Sequence, residues 1–332
     1  MEKIYDVAGI GSALLDFIVE VPDELLRDAG LTKGTMTLID KEESGRIFEL
    51  ISERDLLVSP GGSAANTLAG VSALGGKSVF MGKIGDDEHG DSYQQKNEAA
   101  GVVSILSRHS DIATGHAITL VTPDGERTFA THLGASLHFR KNDIRESDIA
   151  ASKIIHFEGY QLDDPELRAA VIHAMDIAHA SGTHVSIDLS DPGVITRNFE
   201  LVMQLLREHV DMVFVNEGEA EALTGRSAEE SVTIIAALCD MAVVKVGGGG
   251  SYLRQGSALH RIPAFPVEVE NTNGAGDMYA AGILYALTRD IPLEIAGKIA
   301  SFAASRVVAQ REARLGGSSA AEVREFILHA LT

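Results

Sequence analysis

The sequence predicts an α/β fold in which helices cover both faces of a mainly parallel central sheet, giving a three-layer α/β/α sandwich. The first observation is a rhythm: from about Ser152 onward, short β-rich runs alternate with segments of helical length and period. Four of these runs read KIIHF, HVSIDL, DMVFVN and MAVVKV. The second observation is that the runs are continuously apolar, as expected of parallel strands buried on both faces.

Two earlier segments, at about 12–40 and 114–133, break this rhythm and predict sheet without crossover helices. In the second, Pro123, Asp124 and Gly125 separate two alternating runs, which is typical of a tight turn between antiparallel strands. We expect a small β-sheet, discontinuous in sequence, that forms a lid and excludes water from a site. Because no repeat, low-complexity tract or linker is present, residues 1–332 are predicted to form one domain.

Composition and charge exclude several classes of function. The 332 residues are 45% hydrophobic and 23% charged, the usual mixture of a globular protein. No window has the roughly 18 uninterrupted apolar residues of a membrane helix, and the N-terminus lacks the features of a signal peptide. The formal net charge of −20 would repel a nucleic acid backbone. We therefore expect a cytoplasmic protein with no membrane and no nucleic-acid partner.

The metal-ligating residue types form no recognisable cluster in the sequence. Cys239 is the only cysteine, so an intrachain disulfide and a cysteine-based metal site are both excluded. Its position beside a strand pattern predicts a buried core thiol. The twelve histidines include no HExxH and no other tight ligand pair, so a zinc site is not expected.

The segment Asn271–Asp277, which reads NTNGAGD, precedes a helix rich in alanine and leucine. Glycines at a helix N-terminus let several backbone N–H groups converge, which favours an anion such as a phosphoryl group. Asp277 in the first turn has two interpretations. It complements the helix dipole, or, beside an anion pocket, it accepts the proton of an incoming hydroxyl as the base of a kinase does.

This segment resembles the DTxGAGD signature of the ribokinase-like (PfkB) kinases, with Asn271 in place of the first aspartate. The resemblance implies that Asp277 is the catalytic base and that the amides of Gly274, Ala275 and Gly276 form the anion hole. It covers nearly the whole chain with the motifs in family order, and it implies a ribokinase-like fold with a small β lid.

On the acceptor side, PGGSAANT at 60–67 resembles the family's GGxxxN acceptor-binding turn. Taken alone, this segment would be a glycine turn ahead of a tightly packed helix, and the preceding Asp16 would be a carboxylate on the lid surface. The resemblance instead implies that Asp16 binds two sugar hydroxyls. It assigns further acceptor contacts to residues of the turn: Gly61, Gly62, Ser63 and Asn66.

Two motifs correspond to the nucleotide side. VNEGE at 215–219 resembles the NxxE motif, which implies that Asn216 and Glu219 order Mg²⁺ through water; in isolation they would be polar residues at a helix start. KVGGGGS at 245–251 resembles the TxGxxG nucleotide loop, with Lys245 in place of threonine. Lys245, Gly247 and Gly250 are therefore the predicted cofactor-binding residues, and the alternative is a plain glycine turn.

Three further positions are expected to affect lid closure, a turn and a potassium site. Arg127 in the predicted hairpin corresponds to a lid arginine that closes over the phosphates in relatives resembling adenosine kinase; its alternative is an exposed hairpin charge. Asp87 in GKIGDDEHG is expected to secure a turn. Glu312 stands where the family pattern has glycine, and this departure argues against a potassium loop.

The resemblance implies a kinase that uses ATP and Mg²⁺ and acts on a ribose-containing molecule, with adenosine converted to AMP by in-line transfer to the primary hydroxyl. LTKGTMTLID, PGGSAANTLAG and LVTPDGERT look like segments of bacterial adenosine kinases. A kinase for ribose, fructose or a related sugar is the first alternative, and a non-catalytic nucleotide-binding regulator is the second.

A dinucleotide-dependent oxidoreductase is disfavoured. The GIGS stretch near the N-terminus offers only GxG, without the helix and third glycine of a dinucleotide fingerprint. The sequence leaves two assembly states open, a monomer and a homodimer formed through the exposed edge of the lid sheet.

Overall fold

The computed structural model describes residues 2–331, which form two β-sheets and surrounding helices. In chain order the strands are β1 (Tyr5–Ile10), β2 (Leu14–Glu20), β3 (Met36–Leu38), β4 (Leu57–Gly61), β5 (Ser78–Gly85), β6 (Val102–His109), β7 (Gly115–Val121), β8 (Arg127–His132), β9 (Ser152–Glu158), β10 (His184–Asp188), β11 (Met212–Asn216), β12 (Met241–Lys245), β13 (Ser251–Gln255) and β14 (Ala258–Ile262).

The α-helices of the described chain follow the strands in an interleaved order. They are α1 (Asp23–Ala29), α2 (Lys41–Leu50), α3 (Ser63–Ala73), α4 (Glu88–Ala99), α5 (Glu146–Ala150), α6 (Pro165–Ala180), α7 (Pro192–Arg197), α8 (Phe199–Glu208), α9 (Glu217–Thr224), α10 (Ala228–Ile235), α11 (Ala275–Leu287), α12 (Leu293–Val308) and α13 (Gly317–Ala330).

The central sheet has nine strands in the spatial order β14-β13-β12-β11-β10-β9-β1-β5-β6. Neighbouring strands are parallel except at one edge, where β12–β13 and β13–β14 are antiparallel. Each parallel pair is joined by a crossover that contains a helix or the small sheet, as parallel connections require. The predicted α/β fold with a mainly parallel sheet is confirmed.

Both faces of the central sheet are buried against helices. One apolar cluster joins one face to α3, α11, α12 and α13, and another joins the opposite face to α6, α8, α9 and α10. Within β11, Phe214 belongs to the first cluster and Val213 to the second, because successive side chains of a strand point to opposite faces. This two-sided burial explains why the parallel strands are continuously apolar in sequence.

The small sheet has five strands in the order β3-β8-β7-β2-β4. Both segments that were predicted to form a separate sheet contribute to it, and β7 and β8 form the predicted antiparallel hairpin around the turn that contains Gly125. The edge strand β4 (Leu57–Gly61) also belongs to this sheet, although it was not predicted. It contains Pro60, which lacks an N–H donor and is tolerated only at a sheet edge.

Asp87 ties the start of α4 to the strand that enters the small sheet. Its carboxylate accepts hydrogen bonds from the Gly90 N–H at 2.8 Å, from the Thr114 N–H at 2.8 Å and from the Thr114 hydroxyl at 2.6 Å. These bonds hold the pKa of Asp87 below its usual value although burial alone would raise it. The expected turn-securing role of Asp87 is therefore confirmed.

The carboxyl ends of four adjacent parallel strands place polar side chains along one edge of the central sheet. The last residues of β9, β10, β11 and β12 are Glu158, Asp188, Asn216 and Lys245. In register, Asp188 pairs with Glu158, and Asn216 pairs with Lys245. Ligands of open α/β sheets bind at the carboxyl ends of strands. This edge is therefore where a functional site is expected.

Cys239 is partly exposed and packs beside the second cluster, so it is less deeply buried than predicted. Burial nevertheless raises the pKa of its thiol to about 12, which leaves it protonated and unreactive. Within residues 2–331, no group of three or more potential ligand side chains that could hold a metal ion is found. The helices of the same range include none that is long and apolar enough to span a membrane.

Candidate active site

The N-termini of α3 and α11 meet at the carboxyl edge of the central sheet, and Asp277, in the first turn of α11, lies where they meet. Its Oδ1 accepts a hydrogen bond from the Ser63 hydroxyl at 2.7 Å, and its Oδ2 accepts one from the Asn66 amide at 3.0 Å. The Thr67 hydroxyl donates to the Asp277 carbonyl at 3.3 Å. The structure thus brings together the motif predicted to hold the base and the motif predicted to hold the acceptor.

The start of α11 leaves backbone donors beside Asp277. Gly274 has φ 79°, in the left-handed region, and a Cβ there would overlap the Ala313 carbonyl oxygen, so this position requires glycine. The first hydrogen bond of the helix runs from the Met278 N–H to the Gly274 carbonyl at 2.9 Å, and no side chain caps the helix N-terminus. The Ala275 N–H donates to the Thr272 carbonyl at 3.3 Å. We therefore expect Gly276 to contribute more than Ala275 to an anion hole.

The environment of Asp277 suits a group that accepts a proton near neutral pH. Burial raises the pKa of its carboxyl to about 6, while hydrogen bonds from Asn66 and Ser63 oppose this rise. The negative charge of Asp188 raises the pKa further, and Lys245 lowers it. A carboxyl with this pKa is ionised at neutral pH and is a stronger base than an exposed aspartate.

Asp16, in β2, lines the same cavity as Asp277. The backbone of Gly61 approaches it so closely that a Cβ at Gly61 would lie 2.5 Å from Oδ1 of Asp16. Burial raises the pKa of Asp16 to about 7; the positive charges of Arg314 and Arg127 lower it, and the negative charge of Asp277 raises it. Two carboxyl groups therefore face one cavity and are available to accept hydrogen bonds from hydroxyl groups.

The cavity that contains Asp16 and Asp277, the acceptor cavity, has a volume of about 590 Å³. Its acidic lining residues are Asp16, Glu158, Asp163, Asp164, Asp188, Asp191, Glu219 and Asp277. Its cationic lining residues, Arg197 and Lys245, are each paired with a carboxylate, Asp163 at 2.6 Å and Asp188 at 2.5 Å.

Apolar side chains line another part of the acceptor cavity. They are Leu14, Met36, Leu38, Phe129, Leu133 and Leu137, with the Tyr160 ring beside them. Met36, Leu38 and Phe129 belong to β3 and β8 of the small sheet. Met36 is 44% exposed and Leu38 is 59% exposed, so a ligand in the cavity could cover apolar surface of both side chains. We call Met36, Leu38 and Phe129 the apolar wall.

A second cavity of about 640 Å³ lies on the other side of the α11 N-terminus; we call it the nucleotide cavity. It is lined by the glycine-rich loop after β12, by Phe265 and other apolar residues of the 264–269 segment, and by Tyr279 of α11. Gly247 and Gly250, two of the predicted cofactor-binding residues, both line it. Its lining is largely apolar and includes backbone close to glycine, a combination that suits a flat heterocycle and its ribose.

Lys245 lines both cavities and lies at the α11 N-terminus. A Cβ added at Gly276 would be 3.3 Å from its Nζ. Burial alone would lower the pKa of Lys245, but the negative charges of Asp188 and Glu219 raise it above its usual value. A fixed positive charge therefore stands next to the first-turn amides, where a phosphoryl group that passes between the cavities would be stabilised.

Asn216 and Glu219 form a reciprocal capping box at the start of α9. The Glu219 N–H donates to Asn216 Oδ1 at 2.9 Å, and the Asn216 N–H donates to Glu219 Oε2 at 2.8 Å. Burial and the charge of Asp188 raise the pKa of Glu219 to about 7. Carboxylates crowded in this way have more negative charge than Lys245 neutralises, and hard oxygen donors suit Mg²⁺. The residues present therefore fit a hydrated Mg²⁺ ion.

Arg127, at the start of β8, lies outside the linings of both cavities. Its Nη1 is shielded from solvent and has no hydrogen-bond partner among residues 2–331. Burial lowers the pKa of Arg127, and the negative charge of Asp16 raises it. The structure thus places this arginine near the acceptor side, and its closure over phosphates stays a prediction. Glu312 is exposed on the loop between α12 and α13.

Among the site residues that were not identified from the sequence, three make contacts that organise the site. Glu158 accepts hydrogen bonds from the Ser12 N–H at 2.8 Å and the Ala64 N–H at 3.0 Å, so it joins the exit of β1 to the start of α3. Asp188 pairs with Lys245, whose side chain is partly buried. For Glu158 and Asp188 the available signal was an acidic residue that ends an apolar run. Arg314 hydrogen-bonds to Asn66, and no local pattern predicts that contact.

Comparison with known proteins identifies the family. A model of the pfkB family carbohydrate kinases matches residues 31–320. The chain belongs to this family. Its membership, together with the kinases it resembles, establishes an ATP-dependent kinase.

The kinase is similar over most of its length to proteins with different acceptors. It is 32% identical to a 5-dehydro-2-deoxygluconokinase of Bacillus licheniformis, over 80% of this chain and 86% of that protein. A probable sugar kinase from Rhizobium etli superposes with a TM-score of 0.91 at 34% identity, over 98% of this chain and 99% of that one. The adenosine kinase from Sinorhizobium meliloti superposes with a TM-score of 0.90 at 34% identity, over 97% and 99%.

Proposed function

We propose that the kinase transfers the γ-phosphoryl group of ATP to the primary hydroxyl of an uncharged ribonucleoside, with adenosine as the first candidate. The observation that carries the proposal is the division of the acceptor cavity. Asp16, Asn66 and Asp277 offer hydrogen-bonding groups for a polyol at one end, and the apolar wall offers a surface for a flat base at the other. A nucleoside has this division of polarity, whereas a simple sugar has hydroxyl groups throughout.

In this mechanism Asp277 accepts the proton of the attacking hydroxyl. Its carboxylate is aligned by Ser63 and Asn66, which each donate to a different oxygen. Asp16 accepts hydrogen bonds from the ribose hydroxyls and so fixes the distance between the primary hydroxyl and Asp277. The amides at the start of α11 bind the transferred phosphoryl group through the positive end of the helix dipole.

The cofactors of the proposed reaction are ATP and Mg²⁺. The glycine loop after β12 binds the nucleotide, and Lys245 neutralises charge on the phosphoryl group as it passes from one cavity to the other. Mg²⁺, when bound, shields the phosphate charges so that the attacking oxygen can approach. Asn216 and Glu219 would hold its water ligands, and the positive charge of the ion would favour the ionised form of Glu219.

The charges of the acceptor cavity argue against an anionic acceptor. Its cationic side chains are already paired, and its carboxyl groups outnumber them. A sugar acid or a sugar phosphate would meet uncompensated repulsion there, because like charges at close range cost several kcal/mol. A kinase for a neutral sugar such as ribose or fructose is the second candidate, since the group around Asp16 and Asp277 fits any polyol end.

The small sheet is the proposed lid. Its apolar wall closes one side of the acceptor cavity, and movement of β8 would bring Arg127 towards the phosphates. Its edge strand β4 leaves Leu57 43% exposed, next to Leu56 at 38%. If the kinase forms a homodimer, we expect pairing through this edge, and light scattering at micromolar concentration distinguishes the dimer from a monomer.

We do not expect potassium to activate the enzyme. The Asn271 amide donates to the Arg311 carbonyl at 2.7 Å, and the Gln310 amide donates to the Arg314 carbonyl at 2.5 Å and to the Glu312 carbonyl at 3.2 Å. Carbonyl oxygens that would otherwise be available to a cation are thus bound by N–H donors. Turnover that changes by less than about twofold when sodium replaces potassium would support this expectation.

ATP consumption across a panel of acceptors tests the proposal. The panel contains adenosine, inosine, guanosine, ribose, fructose, gluconate and fructose 6-phosphate, each with Mg²⁺. Turnover confined to nucleosides supports the nucleoside kinase, and turnover confined to ribose or fructose replaces it by the sugar kinase. Turnover of gluconate or fructose 6-phosphate contradicts the exclusion of anions. Silence across the panel would point to an acceptor outside the panel or to a regulator that binds nucleotide without catalysis, and in either case it would contradict adenosine as the acceptor.

A further inference from the structure

Arg314 lies in the loop between α12 and α13, outside every motif that defines the site. Its Nε donates a hydrogen bond to Oδ1 of Asn66 at 2.8 Å, and its Nη1 donates to Oδ1 of Asn97 at 3.0 Å. Asn97 belongs to α4 and is completely buried. The Asn97 amide in turn donates to the Ser104 hydroxyl at 3.0 Å, so its own orientation is fixed. Arg314 is therefore held in one place by hydrogen bonds to side chains of α3 and α4.

The Arg314 guanidinium determines which way the Asn66 amide faces. A guanidinium only donates hydrogen bonds, so it requires the amide oxygen on its side and leaves the amide nitrogen to face Asp277. The reversed amide would place its NH₂ group against a cation and its oxygen against the Asp277 carboxylate. Both contacts would be repulsive, and the hydrogen bond that aligns Asp277 would be lost.

We propose that Arg314 is a positioning residue for phosphoryl transfer, which acts by holding the Asn66 amide in the orientation that aligns Asp277. The proposal rests on the proposed function, in which Asp277 is the base. The chain of contacts runs from Asn97 through Arg314 and Asn66 to Asp277, so a loop outside the motifs reaches the reacting group through two side chains.

The charge of Arg314 also bears on the titration of Asp277. The charged or titratable groups that act on Asp277 include Asp16 of β2, Tyr160 after β9, Asp188 of β10, Lys245 of β12 and Arg314 itself. Loss of the Arg314 charge disfavours the carboxylate form, and loss of the Asn66 hydrogen bond has the same sign. Both changes raise the pKa of Asp277, so the acid limb of the pH–rate profile should move to higher pH.

The test compares Arg314→Met and Arg314→Lys with wild type and with Arg311→Met. Arg311 belongs to the same loop, and its side chain is 71% exposed and pairs with surface glutamates. This control therefore removes one charge from the loop and leaves the contacts from Asn97 through Arg314 and Asn66 to Asp277 unchanged. The acceptor is the one that the panel identifies. The measurements are kcat and KM for acceptor and ATP between about pH 5 and pH 9.

Arg314→Met should lower kcat at least about tenfold, move the acid limb up by roughly one unit and leave KM for ATP within about twofold. Arg314→Lys keeps the charge but cannot donate to the Asn66 and Asn97 amides at the same time. Compared with Arg314→Met, it should return the acid limb of the pH–rate profile to its wild-type position and recover only part of kcat. Arg311→Met should match wild type. A lower kcat with an unmoved limb, or a wild-type kcat in Arg314→Met, would overturn the proposal.

Two further results keep the outcomes distinct. If Arg314→Met does not fold, the kcat of Arg314→Lys tests the proposal instead, and a wild-type kcat in that variant overturns the positioning role of Arg314. Asp277→Asn is measured in the same series. Retained turnover in Asp277→Asn would remove the proposed base and with it the proposed function, whereas an inactive Asp277→Asn beside a normal Arg314→Met removes only the role of Arg314.

Discussion

The two cavities that meet at Lys245 differ in how they are built. The acceptor cavity is lined by many ionisable side chains, and the pKa values of three of these, Asp16, Glu219 and Asp277, are raised to between about 6 and 7. In the lining of the nucleotide cavity within residues 2–331, Lys245 is the only charged side chain, and the rest is glycine backbone, apolar groups and uncharged polar groups.

This difference indicates a division of labour between side chains and backbone. Backbone amides at a glycine loop bind phosphates without depending on particular side chains, so the nucleotide cavity should tolerate substitution except at glycines such as Gly250, which has a positive φ and whose added Cβ would overlap the Ile262 carbonyl oxygen. Hydroxyl recognition and proton transfer depend on individual carboxyl groups at fixed distances. We therefore expect the largest functional effects from substitutions in the acceptor cavity, and the following predictions are ordered by the size of the expected effect.

Replacing Asp277 by asparagine should have the largest effect. The variant keeps the shape of the side chain and loses its ability to accept a proton, so kcat should fall at least about 10²-fold. Burial already disfavours the ionised carboxyl, so the melting temperature should not fall. Steady-state turnover and a thermal melt measure both quantities, with the exposed Asp28→Asn in α1 as control. Turnover of Asp277→Asn within tenfold of wild type would contradict the expectation that substitutions in the acceptor cavity have the largest effects.

The apolar wall is tested by Met36→Ser combined with Leu38→Ser. If the wall binds a nucleoside base, KM for adenosine should rise about tenfold or more, because each exposed apolar side chain that a ligand covers contributes about 1 kcal/mol. KM for ATP should not change. Leu57→Ser on the edge strand β4 is a matched control, since Leu57 is exposed on the small sheet and lies outside the cavity. Equal effects of the wall variant and the control would contradict the assignment of the base to this wall.

The border between the cavities is tested by Glu219→Gln. Loss of this carboxylate should raise the Mg²⁺ concentration for half-maximal turnover by about tenfold, with a smaller change in kcat at saturating Mg²⁺. Glu217→Gln, in the same first turn of α9 but exposed, should leave the Mg²⁺ requirement unchanged. A titration of activity with Mg²⁺ measures both. An unchanged requirement in Glu219→Gln would place the ion elsewhere.

The smallest predicted effect concerns stability without ligands. A carboxyl whose pKa is raised in the folded state contributes stability at low pH, and this contribution is lost as pH rises through the raised value. The carboxyl groups of Asp16 and Glu219, each with a folded-state pKa of about 7, should therefore lower the melting temperature as pH rises from about 4 to about 7.5, with little effect above that. The buried His116 and His156, whose pKa values are lowered to about 4, act in the opposite direction between about pH 4 and pH 7, because the unfolded chain binds their protons there and the folded chain does not. The net fall should therefore be clearest between about pH 6.5 and pH 7.5.

Asp16→Asn tests this prediction because it removes one of the titrating groups. Its melting temperature should depend less on pH than that of wild type, by a few degrees at most over this range. Asp28→Asn again serves as the control. If wild type and Asp16→Asn lose stability in parallel, the carboxyl of Asp16 titrates near its ordinary value.

Elements with a local signal were predictable, and those set by distant partners were not. The start of α11 was predicted since its glycines and Asp277 are contiguous. The edge strand β4 was missed because Pro60 and Gly61 read as a turn, and only its pairing with β2 makes it a strand. The contact of Arg314 with Asn66 spans 248 positions, so no window of sequence contains both residues.

The sequence by itself determined the fold class and the position of the phosphate-binding helix. Periodicity decides which segments are buried strands, and glycines ahead of a helix decide where its amides are free. Only the tertiary structure decided which charged groups share a cavity. The pKa values of Asp16, Glu219 and Asp277 depend on burial and on charges from other strands, and these are set when the chain brings its strand ends together.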